Sequence, residues 1–303
     1  MVLSGNRRVL TTVATLASAA ALIGGCGSSG SSSEATSTPA GSAAENAAAA
    51  KLVPAAVKSK GTLRVAADAT YPPNESIAKN GKTVVGMDAD LAKAIGGALG
   101  LKVSVVNGTF DSIIPGLASG KYDLGMSSFT DTKEREKTVD FVTYFTAGTS
   151  FYVKSQGGPL VTGLADLCGR RVAVEKGTTQ AADVTAQSKK CVAAGKPAVK
   201  LSVFPDQNGA NLAINSGRAD IGMADSPVAA YQVSKSGGQF KVVGKPYGTA
   251  PYGIAIPKGN GMDKAVLAAV KALMADGRYA AILKRWGVLN GAIRSPQING
   301  AIS

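Results

Sequence analysis

Two nearly repeated stretches hold the side chains that are best suited to chemistry. The first, S-G-K-Y-D-L-G-M-S-S at 119–128, ends in hydroxyl groups and is soon followed by Arg135. The second, S-G-R-A-D-I-G-M-A-D at 216–225, ends in the carboxylate of Asp225. A guanidinium binds a carboxylate through two parallel hydrogen bonds, and a carboxylate accepts hydrogen bonds from an ammonium group. The two stretches together therefore suit a small molecule that carries both of these groups.

Each of these charged residues also has an ordinary structural interpretation. Asp225 precedes the dipeptide Ser-Pro, which is typical of the start of a helix, so its carboxylate could be a helix cap. Arg135 lies in the charged run K-E-R-E-K, where Asp131 and Glu134 could form a capping box on a solvated turn. The presence of a carboxylate in one copy and an arginine after the other favours a binding site over these alternatives.

Alternating strands and helices indicate an α/β fold that would position these side chains. Each repeated stretch is interpreted as a turn and a short apolar strand, and open α/β sheets bind ligands at the carboxyl ends of their strands. Two segments with glycine, proline and isolated aromatic residues, 146–152 and 246–253, are interpreted as connections between two lobes. Two crossings would return the end of the chain to the first lobe. The predicted strands lie at 62–67, 102–106, 171–175 and 199–203, and the predicted helices at 90–99, 112–119, from 179 onward and at 263–274.

The N-terminal residues indicate export. Arg7 and Arg8 precede an apolar stretch, 9–23, that is too short to span a bilayer and has the composition of a secretory signal. The stretch ends in I-G-G-C, which resembles a bacterial lipobox. We therefore expect a signal peptide at 1–25 and lipidation of Cys26; the alternative is a free cysteine beside an ordinary signal peptide.

A segment of small residues separates this N-terminus from the folded part. Ser, Gly, Ala and Thr dominate residues 27–50, and such a composition cannot bury a core and serves as a flexible tether. The lipidated cysteine and its tether are therefore assigned to 26–50, and the fold is expected to start near Lys51. The remaining part, about 250 residues, exceeds a usual single core and suits two lobes.

The composition argues against several kinds of site. The chain has no histidine, which excludes Ser-His-Asp and Cys-His catalysis and argues against a metal site. The other two cysteines, Cys168 and Cys191, are most simply a disulfide in an exported chain. The 33 Lys and Arg residues outnumber the 20 Asp and Glu residues, but they are scattered and aromatic residues are few. We therefore expect no nucleic-acid partner, and an anionic envelope surface as the environment.

Six motifs follow one another along the chain. They are A-D-A-T-Y-P-P, V-G-M-D-A-D-L, T-F-D-S-I-I-P-G-L-A-S-G-K-Y-D, S-S-F-T-D-T-K-E-R, V-A-V-E-K-G-T-T and a closing W-G-V. From Lys60 to Val288 the chain thereby resembles family 3 of the extracellular solute-binding proteins, the amino-acid receptors of ABC importers. The resemblance implies a two-lobed periplasmic-binding-protein-like (type II) fold, with a mixed sheet flanked by helices in each lobe and two hinge crossings. Lobe 1 would comprise 51–148 plus 251–303, and lobe 2 would comprise 149–250.

The same resemblance implies which residues hold the ligand. Arg135 would bind the α-carboxylate of an amino acid, Asp225 would bind its α-ammonium group, and Tyr71 and Phe110 would sandwich its side chain. The full set of expected ligand-binding residues is Asp68, Tyr71, Phe110, Ser127, Ser128, Thr130, Arg135, Glu175, Thr178, Thr179 and Asp225.

The local sequence supports some of these roles and offers alternatives for others. Thr178 and Thr179 open a predicted helix, whose free N–H groups suit an anion. Tyr71 precedes two prolines and could instead pack a turn, and Phe110 could belong to the core. The family usually has Phe-Glu after the Pro-Pro pair, whereas Asn74 replaces the Phe here, which alters the expected pocket wall.

Two carboxylates bear on the identity of the ligand. Asp68 ends the first strand and, by the resemblance, faces the side-chain pocket; Glu175 ends a strand of the second lobe near the same place. Burying two unpaired carboxylates is costly, so together they favour lysine, arginine or ornithine over glutamate. Alternatively, Glu175 points outward and pairs with Lys176. We expect a polar or basic L-amino acid.

The expected function is capture of this amino acid by closure of two lobes, which a membrane permease then recognises. The protein would be an exported monomer, anchored by its lipid to the outer face of the cytoplasmic membrane, with no cofactor and no enzymatic activity. Two alternatives stay open. A prephenate-type dehydratase on this fold would need a general acid, which only Glu175 or Asp68 could supply. An amino-acid sensor would share every residue of the site.

Overall fold

A computed structural model describes residues 45–302 of the chain. The signal peptide expected at 1–25, the lipidation site Cys26 and most of the expected tether lie outside the described residues. None of the helices between 45 and 302 is long and apolar enough to cross a membrane.

Strands and helices alternate along the chain as the sequence predicts. The helices are α1 (Ala47–Lys51), α2 (Ala55–Lys60), α3 (Met87–Ala98), α4 (Phe110–Ala118), α5 (Thr179–Ala193), α6 (Gln207–Asn215), α7 (Ser226–Lys235), α8 (Met262–Ala275) and α9 (Arg278–Arg285). The strands are β1 (Thr62–Ala67), β2 (Thr70–Tyr71), β3 (Glu75–Ile77), β4 (Val84–Val85), β5 (Lys102–Asn107), β6 (Leu124–Gly125), β7 (Val139–Lys154), β8 (Arg171–Glu175), β9 (Lys200–Phe204), β10 (Ile221–Asp225) and β11 (Phe240–Pro257). The bounds of β1 and β8 and the start of α5 are as predicted, and the other predicted elements differ by a few residues.

The fold begins earlier than the expected Lys51. Helix α1 is capped by Asn46, whose side chain accepts a hydrogen bond of 3.0 Å from the first turn. Ala49 and Ala50 are buried, and Ala49 belongs to the same core as residues of α3 and α8. Alanine has the highest helix propensity and little bulk, so an alanine-rich end of the supposed tether can fold against these helices.

The main sheet is one continuous sheet of eight strands in the order β5-β1-β6-β11-β7-β10-β8-β9. Neighbours within each outer group are parallel, whereas β6 and β10 run antiparallel to the central strands β11 and β7. The sheet is therefore mixed, with helices packed on it, and the expected two-lobed α/β architecture is confirmed. The halves are joined rather than separate, because β7 and β11 pair with each other along most of their length.

The two connections expected between the lobes are parts of these long central strands. Segments 146–152 and 246–253 lie inside β7, which has 16 residues, and β11, which has 18. The pairing between them is irregular around Tyr247, where the register shifts on both sides. After β11 the chain returns to α8 and α9, whose apolar residues pack in one core with β1 and α3, as two crossings require.

The repeated sequence corresponds to a repeated structure. β6 lies between β1 and the central strand β11, and β10 lies between β8 and the central strand β7. A helix precedes each copy, α4 in the first and α6 in the second, and each is followed within two residues of its end by a glycine of positive φ, Gly120 and Gly217. Both copies thus end their strands at the same interior region of the molecule.

The predicted disulfide is present. Cys168 and Cys191 are bonded, with their Cα atoms 5.6 Å apart. The bond ties the last turns of α5 to the segment just before β8, and Cys191 is buried in the core of this half of the sheet.

Candidate functional site

A cavity with an empty volume of about 360 Å³ lies where the two copies of the repeat end. Only about 30 Å³ of this space is open to the centre of a water-sized sphere, so the cavity is narrow in this structure. The residues that line the cavity come from both halves of the sheet. They are Tyr71, Phe110, Ser128, Thr130, Arg135, Thr178, Thr179, Gln180, Gln207, Ala224, Asp225 and Val228.

Arg135 is fixed at one wall of this cavity. Its Nη1 donates to the Thr130 carbonyl (2.8 Å) and its Nη2 donates to the Gly177 carbonyl (3.1 Å). Its guanidinium carbon lies 5.2 Å from the ring centre of Phe110 and 5.4 Å from that of Phe129. These bonds use two of five N–H donors, so three are left for a ligand. Burial lowers the pKa of Arg135 to about 10, which leaves it a cation at neutral pH.

The start of helix α5 faces the same wall. Thr178 is the N-cap residue, and its hydroxyl accepts a hydrogen bond from the Ala181 N–H (3.2 Å) and donates to the Glu175 carbonyl (2.8 Å). Thr178, Thr179 and Gln180 line the cavity, so the first turn of the helix borders it. A helix N-terminus carries a partial positive charge and free N–H groups, and together with Arg135 it makes this end of the cavity suited to a carboxylate.

Asp225 lies at the N-cap position of α7 but does not cap the helix. Its side chain makes no capping hydrogen bond. Instead, Oδ1 accepts from Gln180 Nε2 (2.7 Å) and Oδ2 accepts from the Tyr252 hydroxyl. Burial raises the pKa of Asp225, while the Tyr252 and Gln180 donors and the Arg135 charge act in the opposite direction. The interpretation of Asp225 as an ordinary helix cap is therefore wrong, and its carboxylate lines the cavity.

The alternative for the charged run around Arg135, a capping box formed by Asp131 and Glu134, is also wrong. Glu134 makes no side-chain capping bond at the following turn, Arg135–Lys137, although the Thr132 hydroxyl accepts from the Arg135 N–H (3.2 Å). Asp131 is fully buried and accepts a hydrogen bond from the Gly300 N–H (2.8 Å). Asp131 thus anchors the C-terminal segment of the chain rather than a capping box.

The two serines that follow β6, Ser127 and Ser128, have different surroundings. Ser127 is fully buried, donates to Glu75 (3.0 Å), accepts from the Asp68 N–H (2.8 Å) and does not line the cavity. Ser128 does line it, and its N–H donates to Asp88 (2.8 Å). Ser127, expected among the ligand-binding residues, instead supports the wall from behind.

A buried polar network lies behind Ser128. Asp88 accepts hydrogen bonds from the Tyr144 hydroxyl (2.7 Å) and from Ser128, whose hydroxyl accepts from Asn74 Nδ2 (2.9 Å). Burial and the nearby Asp88 carboxylate raise the pKa of Glu75 well above its usual range. Asn74, which departs from the usual family residue, belongs to this network and not to the cavity wall.

The two aromatic residues expected to sandwich a side chain both line the cavity. The Tyr71 and Phe110 rings meet edge to face, with centroids 5.9 Å apart and planes at 63°. Phe110 is stacked instead on Phe129, with centroids 4.4 Å apart. A group inserted between two flat rings needs about 7 Å, twice the contact distance of carbon atoms. The sandwich is therefore not formed in this structure, and it stays a prediction that requires the Tyr71 ring to move.

Asp68 and Glu175 are buried next to the cavity without lining it. Asp68 accepts hydrogen bonds from the Thr70 hydroxyl (2.7 Å) and the Phe110 N–H (3.0 Å). Glu175 is 1% exposed, and neither of its oxygens has a hydrogen-bond partner. Burial and the Asp68 charge raise the pKa of Glu175 to about 9, and burial also raises that of Asp68. Tyr71 lines the cavity, and its hydroxyl lies near Glu175, where it acts to lower the pKa of that residue.

The alternative orientation of Glu175 is wrong. Lys176, its supposed partner, forms an ion pair of 2.8 Å with Asp111, which lies in the first turn of α4 in the other half of the molecule. Glu175 points inward, toward Asp68 and Tyr71.

Several residues of the site were not predicted from the sequence. Gln180 and Tyr252 hold the Asp225 carboxylate, while Gln207, Ala224 and Val228 line the cavity. Gln180 directly follows the two threonines of the helix start and Val228 lies about one helical turn after Asp225, so both had a local signal. Tyr252 had none, because its contact with Asp225 depends on the pairing of β11.

The known proteins that are similar to this chain include several amino-acid-binding proteins. The sequence matches the bacterial extracellular solute-binding proteins, family 3, over residues 63–288. It is 33% identical over 249 residues to the arginine-binding protein ArgT of Corynebacterium glutamicum, which covers 82% of this chain and 81% of that protein. It is 32% identical over 209 residues to the ABC transporter glutamine-binding protein GlnH of Bacillus subtilis, and this match covers 67% of this chain and 72% of that protein. A solved structure, an ancestral arginine-binding protein bound to arginine, aligns with a TM-score of 0.70 at 38% identity, covering 75% of this chain and 98% of that one.

Proposed function

The chain belongs to the bacterial extracellular solute-binding proteins of family 3, and from this membership we propose that its ligand is a basic L-amino acid, with arginine as the first candidate. The family resemblance of the six motifs is thereby confirmed. The protein is an extracytoplasmic amino-acid-binding component of ABC import, and its family and relatives are binding proteins.

One observation carries the choice of a basic ligand: the Glu175 carboxylate is buried beside Asp68 with no donor on either oxygen. A ligand amino acid would place its α-carboxylate on Arg135 and the start of α5, and its α-ammonium group on Asp225. Its side chain would then extend past Tyr71 toward Asp68 and Glu175. A guanidinium supplies several N–H donors and a positive charge there, whereas a ligand carboxylate would add a negative charge beside two buried acids.

Closure of the two halves around the ligand supplies the proposed mechanism. Arg135 belongs to the first half and contacts the Gly177 carbonyl of the second, and the Asp111–Lys176 ion pair also crosses the cleft. A ligand bound to Arg135 gains Asp225 and the α5 start only when the halves meet, so its binding energy favours the closed form. The closed form would be what a permease recognises.

The same proposal includes the attachment of the protein. A lipid on Cys26 would hold a monomer at the outer face of the cytoplasmic membrane, close to its permease. The I-G-G-C sequence supports this, as does the tether of small residues that follows it. The lobe bounds 51–148 with 251–303, and 149–250, remain part of the proposal, with the first lobe extended to include α1.

A second candidate has one observation in its favour. A dehydratase acting on prephenate-like acids needs a general acid that is protonated at neutral pH, and Glu175, whose pKa burial raises to about 9, meets that requirement. Loss of the absorbance of a cyclic substrate on mixing would support this candidate. Asp225 favours a receptor instead, since a carboxylate at the α-ammonium position suits a free amino acid. Transport assays in a deletion strain separate import from sensing.

Thermal unfolding of the purified protein against the common L-amino acids tests the proposal. A ligand at 100 times its dissociation constant stabilises a protein by about 2.7 kcal/mol, a shift of several degrees. We expect shifts with arginine, lysine or ornithine and none with D-arginine or dipeptides. Shifts led by glutamine or glutamate would contradict the basic ligand while keeping the amino-acid receptor.

A further inference from the structure

The buried side chain of Glu175 lacks what a carboxylate needs. Both of its oxygens are without a donor, whereas each oxygen of the neighbouring Asp68 accepts a hydrogen bond, one from Thr70 and one from Phe110. An ionised carboxylate without partners is very costly in a protein interior. Glu175 therefore needs either a proton or a cation that brings several N–H donors.

The titratable groups that face Glu175 are all acidic. They are Asp68 after β1, Asp206 just before α6, and Tyr71 in β2, whose hydroxyl acts to lower the pKa of Glu175. The adjacent lysine, Lys176, is turned to the surface and paired with Asp111. Burial, together with the negative charge of Asp68, raises the pKa of Glu175 to about 9. In the free protein at neutral pH, Glu175 thus holds a proton, and the hydrogen bonds to both Asp68 oxygens favour the negative charge on Asp68.

We infer that a cationic ligand side chain enters this subsite in exchange for the proton held by Glu175. The inference rests on the proposed function. In the exchange the O–H bond of Glu175 breaks, the proton leaves to solvent, and the guanidinium donates two N–H groups to the two oxygens that lack donors. The buried charge is unchanged, because one positive charge leaves as another arrives. The subsite therefore accepts a cation without burying additional net charge.

A neutral side chain cannot make the same exchange. Citrulline has the length and shape of arginine, but its urea group carries no charge that could replace the proton. Glu175 would stay protonated with citrulline bound and would offer its O–H as a donor. The proton on Glu175 thus separates two modes of binding, one for cationic side chains and one for neutral amides.

Calorimetry of the purified protein at pH 7, in phosphate and in Tris, counts the protons exchanged on binding. We expect the release of close to one proton per arginine and of none per citrulline. The affinity for arginine should rise with pH by up to about tenfold per unit between pH 6 and pH 8. Arginine binding to the wild type without proton release would overturn the inference and leave the proposed function standing. Failure of arginine to bind at all would overturn both.

The variant Glu175→Gln tests whether the proton released on arginine binding comes from Glu175. The amide has the same shape and holds no exchangeable acidic proton, so arginine should bind it without proton release and with an affinity that does not vary from pH 6 to pH 8. Another acid near the cleft, Asp131, has a pKa that burial raises to about 7. Proton release that persists in Glu175→Gln would come from such a group and would contradict the inference.

The ligand-free protein gives a second readout. The pKa of Glu175 is higher in the folded chain than in the unfolded chain, so unfolding releases its proton between the two values. The stability that this group contributes is fully present at low pH and is lost as the pH rises toward about 9. We expect the melting temperature of the wild type to fall more steeply from pH 5 to pH 9 than that of Glu175→Gln. Parallel curves for the two proteins would contradict the protonated state.

Discussion

The two ends of the cleft are built in opposite ways. At one end, Arg135 and Asp225 carry opposite charges, and each has fixed hydrogen-bond partners in the protein. At the other end, Asp68 and Glu175 are both acids, and neither oxygen of Glu175 accepts a hydrogen bond. The first end is complete in the protein alone and suits the groups that all amino acids share. The second end is incomplete until a ligand side chain arrives, and we expect it to determine which amino acid binds.

Substitution of Arg135 should have the largest effect, because it tests the end that is complete. Arg135→Ala removes two charge-assisted hydrogen bonds to the ligand carboxylate, worth together about 3 to 6 kcal/mol, so arginine affinity should fall by roughly a hundredfold or more. Calorimetry would measure the loss of affinity, and the melting temperature of the ligand-free variant would show whether it folds. Normal binding in a folded Arg135→Ala protein would show that the carboxylate lies elsewhere.

Two substitutions of aspartate by asparagine, one at each end of the cleft, test the two ends separately. Asp225→Asn should weaken arginine and citrulline by the same factor, about 10-fold to 100-fold, because the α-ammonium group is common to both. Asp68→Asn should weaken arginine by a similar factor and citrulline much less, because only arginine has a charged side chain. Both variants keep the shape of the side chain, and the melting temperature of each ligand-free protein serves as the control. Equal losses for the two ligands in Asp68→Asn would mean that Asp68 does not face the side chain.

The comparison also separates what the sequence could predict from what it could not. Asp225 at a strand end and Thr178 and Thr179 at a helix start had local patterns, and the family resemblance supplied Arg135; the structure brings all four to the cavity. Of the two neighbouring serines, only Ser128 lines the cavity, and its backbone has a positive φ of 52°, which the sequence does not reveal for a non-glycine residue.

The fold shows the same division between local and distant information. Strands β1 and β8 were predicted with their observed bounds, because each is a short apolar run between polar or turn residues. The crossings at 146–152 and 246–253 were recognised as connections, but their composition does not reveal that they are paired strands of one sheet. That pairing joins segments about a hundred residues apart. The role of Tyr252 beside Asp225 could not be predicted for the same reason.

Gly177 tests whether the complete end requires closure. Its φ is +79°, and a Cβ there would lie 3.0 Å from the Asp111 Cβ across the cleft. Gly177→Ala should therefore hinder the closed form and weaken arginine binding by about tenfold. Gly195→Ala is the matched control, because Gly195 has a φ of +69° and nothing within 4 Å of an added Cβ. Both variants should lose stability through backbone strain, and only Gly177→Ala should lose affinity. Equal affinities would indicate that the two halves need not approach this closely.

The smallest effect is expected at the exposed ion pair that crosses the cleft. Lys176 and Asp111 lie 2.8 Å apart, but their side chains are 66% and 28% exposed, so water and salt screen their attraction. Lys176→Met should weaken arginine binding by less than about fivefold at low salt, and the difference should vanish near 1 M salt. Lys271→Met in α8, an exposed lysine outside the cleft, controls for the loss of one positive charge. If Lys176→Met matched Arg135→Ala in its effect, closure would depend on this surface pair more than on the ligand. The affinity would then depend more on the Lys176–Asp111 ion pair than on the difference between the two ends of the cleft.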